Sequence, residues 1–462
     1  MGFCRVSAAA LLVALLVAGP TRAGDGKATP LDCAALGPAF VSLPSTESCL
    51  AVVGTARLDA QGHTGGRVLT ARSGPEERLW RIEGTGPPPG RFALTARAGL
   101  DIDLRSASEF GTLRTVTSLA VERASGGTGG DVPAVYLDAA YIEIGMFTVG
   151  RRQSFFDYIG TSDRWYALNP TTNRPWPDAK VDLLAITRKI EGSLAVTASL
   201  EWAASGYRGR NGIGIFDELI LADMPNALRT RARDGLVGTD PDWPDLVFSA
   251  VLTESWGSVQ VMSALHRLEN DRHRSYLGFS PPGTTIGWGS ATGAGATVNL
   301  PMLGEGDRAS LQVVRTSGAT AYAAASLDAL GNFGADALFG WSGRLNEVPD
   351  GALKPTKALS IAAGYRHVFS PHWELAVTGG HILVNGYRAR DFALTDLGGD
   401  LLWRPLPGFM LGAALEWRRV DFTTATRDAF SGRPGPGEYN PWRRRLRDAQ
   451  SITATVRAER TF

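Results

Sequence analysis

The sequence predicts an all-β fold, a transmembrane antiparallel β-barrel of about 16 strands. Polar and apolar residues alternate with period two in segments of about ten residues. Short turns between these segments contrast with long polar connections, and the chain ends on an aromatic residue, Phe462, that closes an alternating segment. Because backbone amides in lipid must be paired within the protein, such a sheet must close on itself.

The N-terminus has the features of a secretory signal peptide, residues 1–23. Arg5 precedes the apolar run 6–18, and Thr21, Arg22 and Ala23 form a small-x-small cleavage site. The run is too short to cross a bilayer as a helix, so the alternative is a buried N-terminal helix. The division of the chain that follows is a signal peptide (1–23), an N-terminal periplasmic segment (24–48) and a barrel domain (49–462).

Composition argues against several classes of function. The chain has 47 Lys+Arg and 46 Asp+Glu, and loss of the signal removes two arginines, which leaves the charge near zero. This balance argues against nucleic acid and against a basic membrane-surface protein. The signal also removes Cys4, which leaves Cys33 and Cys49. An even pair in an exported chain predicts a disulfide, and two free buried thiols are the alternative.

Alternation is clearest at the C-terminus, where residues 451–462 place an apolar face opposite a face of Ser, Thr, Arg and Glu. Tight turns join other alternating segments, at residues 190–192, 370–372 and 405–408. Long polar segments lie at 206–246, 343–357 and 423–446. Outer-membrane barrels have short periplasmic turns and long outer loops, so this contrast favours a barrel over a soluble periplasmic β-sandwich, which also alternates.

Aromatic residues near strand ends support the same prediction, because a membrane barrel carries aromatic girdles at both interfaces. The candidates are Trp373, Trp403, Trp417 and Tyr387. Phe462 has the position of the terminal aromatic that the barrel-assembly machinery of outer membranes reads. Alternation also assigns charged residues to the water-filled side of the barrel as candidate pore lining: Arg57, Arg97, Asp101, Asp103 and Arg105.

Several stretches resemble the porin family of alphaproteobacterial outer membranes, the general porins of the rhizobial and Brucella type. The most specific are the cysteine-to-cysteine opening at 33–59 and the segment 140–158, which ends in Gly-Arg-x-x-Ser-x-Phe-Asp. Weaker matches lie at 286–303, 397–421 and 442–462, so the resemblance runs from about residue 33 to the end. The opening is less aromatic, and the inner loop less glycine-rich, than is usual in that family.

The resemblance implies a trimer of barrels, each with a pore narrowed by an inward-folded loop after the fifth strand. By position this constriction loop runs from about 153 to 180 and carries Asp157, Asp163 and Arg164. Arg151 and Arg152 are the candidates on the opposite wall. Strict alternation places Arg152 in the lumen and Arg151 towards lipid, whereas a bulge at Gly150 would bring Arg151 inwards.

The function implied is a passive diffusion channel for ions and small hydrophilic solutes, with no cofactor, no metal and no enzymatic activity. The implied partners are outer-membrane lipids including lipopolysaccharide, the assembly machinery and further copies of the chain, with no nucleic acid. A substrate-specific channel or a barrel with ligand-binding loops is the alternative. A barrel lipase or protease is another, but the sequence has no His-Glu-x-x-His, Gly-x-Ser-x-Gly or phosphate-loop motif. His266 and His273 are expected in a charged loop.

Overall fold

A computed structural model describes most of the chain after its first thirty residues. The described residues are 31–44, 46–65, 69–73, 78–82, 92–125, 134–158, 180–190, 192–202, 236–239, 243–271, 284–323, 337–339, 353–385, 391–424, 442–446 and 449–462. The signal peptide predicted at 1–23 lies outside them. No helix within these ranges is long and apolar enough to cross a membrane.

Sixteen antiparallel strands form one closed ring, in which each strand pairs with the next and the last pairs with the first. They are β1 (Ser48–Gly65), β2 (Phe92–Ser108), β3 (Gly111–Ser125), β4 (Ala134–Ile144), β5 (Phe147–Gln153), β6 (Lys180–Ile190), β7 (Leu194–Trp202), β8 (Asp245–Glu254), β9 (Gly257–Asp271), β10 (Thr284–Asn299), β11 (Arg308–Ser317), β12 (Lys357–Ser370), β13 (Trp373–Asn385), β14 (Phe392–Leu406), β15 (Phe409–Phe422) and β16 (Ala449–Thr461). Closure between β1 and β16 pairs Thr55 with Thr461 and Gly65 with Ser451. The predicted barrel and its strand number are confirmed.

Connections differ sharply between the two ends of the barrel. At one end they span 109–110, 145–146, 191–193, 255–256, 300–307, 371–372 and 407–408. At the other end they span 66–91, 126–133, 154–179, 203–244, 272–283, 318–356, 386–391 and 423–448. The predicted contrast is confirmed, and the end with short turns is the periplasmic end by the rule for outer-membrane barrels.

Short elements supplement the ring. Phe40–Ser42 pairs with β1 along Cys49 to Ala51, below the point where the last residue of the chain, Phe462, bonds to Gly54. This strand therefore covers part of the edge of β1 that β16 does not reach. The remaining short elements are the strands Leu69–Ser73, Arg78–Ile82, Leu236–Thr239, Ala337–Phe339, Leu353–Pro355 and Trp442–Leu446 and the 3-10 helices Ala34–Leu36 and Thr320–Tyr322.

The outer face of the ring is apolar and the inner face is polar or small, as period-two alternation requires. Large exposed side chains on the outer face include Val52, Leu100, Leu119, Leu184, Val261, Leu311, Val377, Leu415 and Val456. Trp373 and Trp403 stack at the periplasmic end with their ring centroids 5.8 Å apart. This pair supports the predicted aromatic girdle. Trp417 is half-buried further up β15, and Tyr387 lies outside the described residues.

Candidate functional site: the pore wall and its inward segment

The chain enters the lumen directly after β5. Residues 154–158, which we call the inward segment, have buried side chains at Ser154, Phe156, Asp157 and Tyr158. Phe156 and Tyr158 belong to an apolar cluster on the lumenal face of β8 to β12, with Val247, Met262, Ala264, Ala291, Val314 and Ala362. Phe155 packs against this cluster as well, and also on Val181, Leu183 and Ala185 of β6. Residues 154–158 thus pack inside the lumen, and 159–179 lie outside the described residues.

Glu201 holds the start of the inward segment. Its side chain is 1% exposed. One carboxylate oxygen accepts a hydrogen bond from Ser154 Oγ at 2.5 Å, and the other accepts from the backbone N–H of Phe155 at 3.0 Å and from Ser199 Oγ at 2.8 Å. Hydrogen bonds to an ionised group are stronger than neutral ones, so this carboxylate fixes the point at which the chain leaves the wall.

The next residues are held by β9 and β10. Gln260 Nε2 donates to the carbonyl oxygens of Phe155 and Phe156 at 3.1 and 3.2 Å. The hydroxyl of Tyr158 donates to the carbonyl oxygen of Ser258 at 2.9 Å. Its ring lies against Gly295, where an added Cβ would stand 2.2 Å from Tyr158 Cδ1. Only glycine leaves room for the ring at this position.

An ion-pair chain lines the facing wall on β2 to β5. Asp103 binds Arg105 and Arg114, each with a guanidinium nitrogen 2.9 Å from its carboxylate. Arg114 continues to Glu143 at 3.1 Å, and Glu143 binds Arg152 at 2.5 Å. Arg152 also lies over the ring of Phe155 with its guanidinium carbon 4.6 Å from the ring centroid. The charged wall therefore touches the inward segment at Arg152.

A second group of charges lies where β16 meets β1 and β2. Arg457 contacts Asp59 at 2.6 Å, and Arg57 contacts the same carboxylate at 3.3 Å. Arg97 lies 4.0 Å from Asp138 of β4. Together with the ion-pair chain, these residues form a wall of β16 and β1 to β5 whose basic and acidic groups pair with each other. We call it the charged wall.

Arg151 does not join this wall. It lies 3.6 Å from Asp182, whose side chain is 59% exposed, and both residues share the outer face with Val149 and Leu184. Gly150 has a positive φ of 118°, but alternation continues through it. Arg151 as a pore-lining residue is therefore corrected: of the two alternatives, Arg152 faces the lumen and Arg151 faces outwards.

The other predicted residues divide into three groups. Arg57, Arg97, Asp101, Asp103 and Arg105 lie on the lumenal face of β1 and β2, as alternation predicts. Asp157 is in the inward segment, and Asp163 and Arg164 lie outside the described residues. Sequence reasoning missed Glu201, Gln260, Arg114, Glu143 and Arg457. Alternation assigns these residues to the inner face, but it does not say which of them meet a loop.

Cys33 and Cys49 form the predicted disulfide, with their Cα atoms 5.3 Å apart. Cys49 is fully buried on the lumenal face of β1. The bridge therefore ties the N-terminal segment to the inner wall at the periplasmic end, where the guanidinium carbon of Arg105 lies 4.7 Å from the ring centroid of Phe40.

A second segment, 319–323, also packs in the lumen after β11. The ring of Tyr322 meets Phe156 edge-on at a centroid distance of 4.5 Å. Its hydroxyl donates to Asp245 at 2.5 Å, and the other carboxylate oxygen of Asp245 lies 2.7 Å from Nδ1 of His266. His266 is thus a buried residue of β9 and not part of a loop. Among the described residues, no group of three or more acidic, His or Cys side chains is placed to hold a metal ion.

A closed barrel with an apolar outside, a charged inside and a segment folded into its lumen belongs to the class of outer-membrane channels. The chain belongs to the porin family described as "Porin subfamily", which it matches over residues 32–450. It is an outer-membrane β-barrel, and membership of this family supports a channel rather than an enzyme.

Curated relatives agree with this assignment. Porin Omp2b of Brucella suis is 31% identical over 132 residues, which are 28% of this chain and 32% of the relative. Porin Omp2b of Brucella canis is 32% identical over 139 residues, 28% of this chain and 34% of the relative. The chain thus spans about a third of the length of these relatives. The outer membrane channel DcaP of Acinetobacter baumannii shares the fold, with a TM-score of 0.60 and 11% identity over 92% of this chain and 100% of that chain.

Proposed function

We propose that the protein forms a passive, water-filled channel for ions and small hydrophilic solutes across the outer membrane. The charged wall carries this proposal, because ion pairs such as Arg114 with Glu143 lie on the inner face of a closed barrel, where only water or a solute can accompany them. The inward segment narrows the lumen opposite that wall, so passage is filtered by size and by charge. Arg152, Asp157, Asp163 and Arg164 stay candidates for the narrowest point.

We also propose that the channel is a homotrimer. The outward pair of Arg151 and Asp182 supports it, because Val149 and Leu184 beside it are large apolar residues of the lipid-facing band. Charged side chains in that band cost about 2 to 4 kcal/mol when lipid surrounds them. A neighbouring copy that packs on β4 to β6, including residues 139–149, would shield the pair from lipid.

The other proposed partners are outer-membrane lipids, including lipopolysaccharide, and the barrel-assembly machinery. Phe462 supports the second, because its side chain is 75% exposed while its backbone N–H and carbonyl both bond to Gly54. The terminal aromatic ring is therefore accessible in the folded barrel.

Single-channel recording in a planar bilayer tests the proposal. We expect stepwise insertion with large ohmic conductance and closure in three equal steps. Protein that is folded and inserted but does not conduct would contradict an open channel. Conducting units that close in a single step would retain the channel and contradict the trimer.

Solute flux into liposomes separates passive diffusion from a substrate-specific channel. We expect flux to rise linearly with solute concentration for small neutral sugars, because diffusion through water has no binding step to saturate. Saturation of that flux in the low millimolar range would contradict general diffusion and favour the substrate-specific alternative.

A further inference from the structure

Four charged side chains meet at the periplasmic end of the lumen, on the side away from the charged wall. Arg308 is the first residue of β11, Arg366 lies near the end of β12, Glu374 is the second residue of β13 and Arg404 lies near the end of β14. The register places Arg308, Arg366 and Glu374 on the lumenal face, and Arg404 reaches the carboxylate of Glu374 on that face. We call Arg308, Arg366 and Arg404 the vestibule arginines.

Glu374 bridges two of them. Its Oε1 lies 2.8 Å from Arg366 Nη2 and 2.5 Å from Arg404 Nη1. The side chains of Arg366 and Glu374 are 15% and 10% exposed, and that of Arg404 is 35% exposed. The carboxylate therefore orients two guanidinium groups, one mostly buried and one open to the vestibule.

Arg308 adds a third positive charge beside this bridge. It stands directly opposite Arg366 in the pairing of β11 with β12, and it interacts electrostatically with both Arg366 and Glu374. Like charges placed directly opposite across two strands destabilise a sheet. Here two guanidinium groups contact the carboxylate of Glu374, and Arg308 stands opposite one of them in the strand pairing.

Asp307, the acidic neighbour of Arg308 in sequence, turns to the outer face. It accepts a hydrogen bond from the hydroxyl of Tyr365 at 2.6 Å and from the backbone N–H of Val368 at 2.9 Å. One of its oxygens lies 2.7 Å from Nδ1 of His367. Its carboxylate is thus committed to residues on the other side of β12.

We propose that the vestibule arginines bind an oxyanion group of a passing solute, a phosphate or a carboxylate. Guanidinium forks match the geometry of such groups and remain charged at every physiological pH. An anion there would relieve the repulsion between Arg308 and Arg366. This inference rests on the proposed diffusion channel and adds a binding step at its periplasmic mouth.

Binding itself is tested on detergent-purified protein, where no current is needed. Phosphorus NMR line broadening would follow inorganic phosphate, and competition with succinate would report carboxylates. We expect Arg308→Gln to weaken phosphate binding about tenfold, since one charge-assisted interaction is lost. Arg308→Lys keeps the charge and is expected to restore part of the affinity.

Arg315→Gln is the matched control, because Arg315 is exposed on the outer face of the same strand. We expect its phosphate affinity to equal that of the parent protein. Equal affinities in the parent and in Arg308→Gln, or no broadening of phosphate by the parent, would overturn the inference. Broadening that succinate reverses would show that carboxylates share the site, and broadening that succinate leaves unchanged would restrict the site to phosphate.

Single-channel current gives the second readout. Phosphate added on the periplasmic side is expected to reduce the potassium chloride current of the parent channel at lower concentration than phosphate added outside, and Arg308→Gln is expected to lose this asymmetry. A conducting channel with equal effects from both sides would overturn the inference and leave the proposed function intact. A parent protein that binds phosphate but never conducts would contradict only the diffusion channel.

Discussion

The two sides of the lumen use opposite kinds of residue. The charged wall on β16 and β1 to β5 places long side chains such as Arg114 and Arg457 towards water and pairs them with carboxylates. The facing wall on β8 to β12 places small residues such as Ala264, Ala291 and Gly295 towards the same space. These small residues leave a recess, which we call the shelf, and the inward segment packs against it. The long charged residues fill the space on their own side, where a water-filled gap remains. The shape of the pore thus depends on an unequal distribution of side-chain size around the ring.

Filling the shelf should produce the largest change. In Gly295→Val the new side chain would occupy the position of the Tyr158 ring, so we expect the inward segment to be displaced, at a cost of roughly 1 to 3 kcal/mol. The folded fraction after refolding should fall, and the channels that do insert should show larger and noisier conductance. Gly62→Val is the control, because an added Cβ there meets nothing within 4 Å. Unchanged conductance in Gly295→Val would show that the ring does not rest on this glycine.

Loosening the start of the inward segment should have the next largest effect. Glu201→Gln keeps the size of the side chain but removes the charge that Ser154, Ser199 and the N–H of Phe155 bond to. We expect a loss of about 1 to 3 kcal/mol in the free energy of unfolding, and frequent transitions between conductance levels. Ser199→Ala serves as the milder comparison, since it removes one donor and keeps the carboxylate. A quiet channel of parental conductance in Glu201→Gln would argue against its anchoring role.

Two adjacent arginines test which face controls ion selectivity. Arg152→Gln removes a lumenal charge that contacts Glu143 and Phe155, so we expect the reversal potential in a salt gradient to shift towards cations. Arg151→Gln removes a charge from the outer face and should leave the reversal potential unchanged. Equal shifts in both variants would mean that Arg151 also reaches the lumen, and no shift in either would remove Arg152 from the narrowest point.

A smaller effect on stability is expected from Asp307, in the periplasmic turn between β10 and β11. Burial alone would raise the pKa of Asp307, but hydrogen bonds from Tyr365, His367 and the N–H of Val368 outweigh it and lower the pKa below its usual value. This carboxylate therefore stabilises the fold at neutral pH, and that stability is lost as the pH falls through the lowered pKa. Asp307→Asn should cost about 1 kcal/mol at neutral pH.

Thermal unfolding in detergent at several pH values would measure this difference. The melting temperatures of Asp307→Asn and the parent should converge as the pH falls below the usual range of aspartate, because both side chains are then neutral. A difference that persists unchanged well below that range would assign the effect to the shape of the amide and not to the lost charge.

Period-two alternation was sufficient to predict the barrel, its short turns and the inward position of residues such as Arg97 and Asp103, because alternation is a local property of each strand. Strict alternation also assigns Arg152 to the inner face, where it contacts Glu143. Contacts between distant parts of the chain were not predictable in this way. The bond from Ser154 to Glu201 and that from Tyr322 to Asp245 join loops to strands that no local pattern pairs with them. The irregular register of β3 and β4 at Ser118 and Leu119 likewise depends on packing and not on sequence period.

The short strand Phe40–Ser42 has a consequence for how the ring is joined. It occupies the edge of β1 beside Cys49 to Ala51, while the chain terminus stops at Gly54 on that same edge. The pairing of the first and last strands is therefore limited at its periplasmic end, where the short strand Phe40–Ser42 occupies the same edge of β1. The disulfide between Cys33 and Cys49 holds this short strand in place. A last strand extended by three or more residues would meet Phe40 opposite Ala51, and one shortened by a few residues would leave more of the β1 edge unpaired. The N-terminal segment thus limits the length over which the first and last strands can pair when the barrel closes.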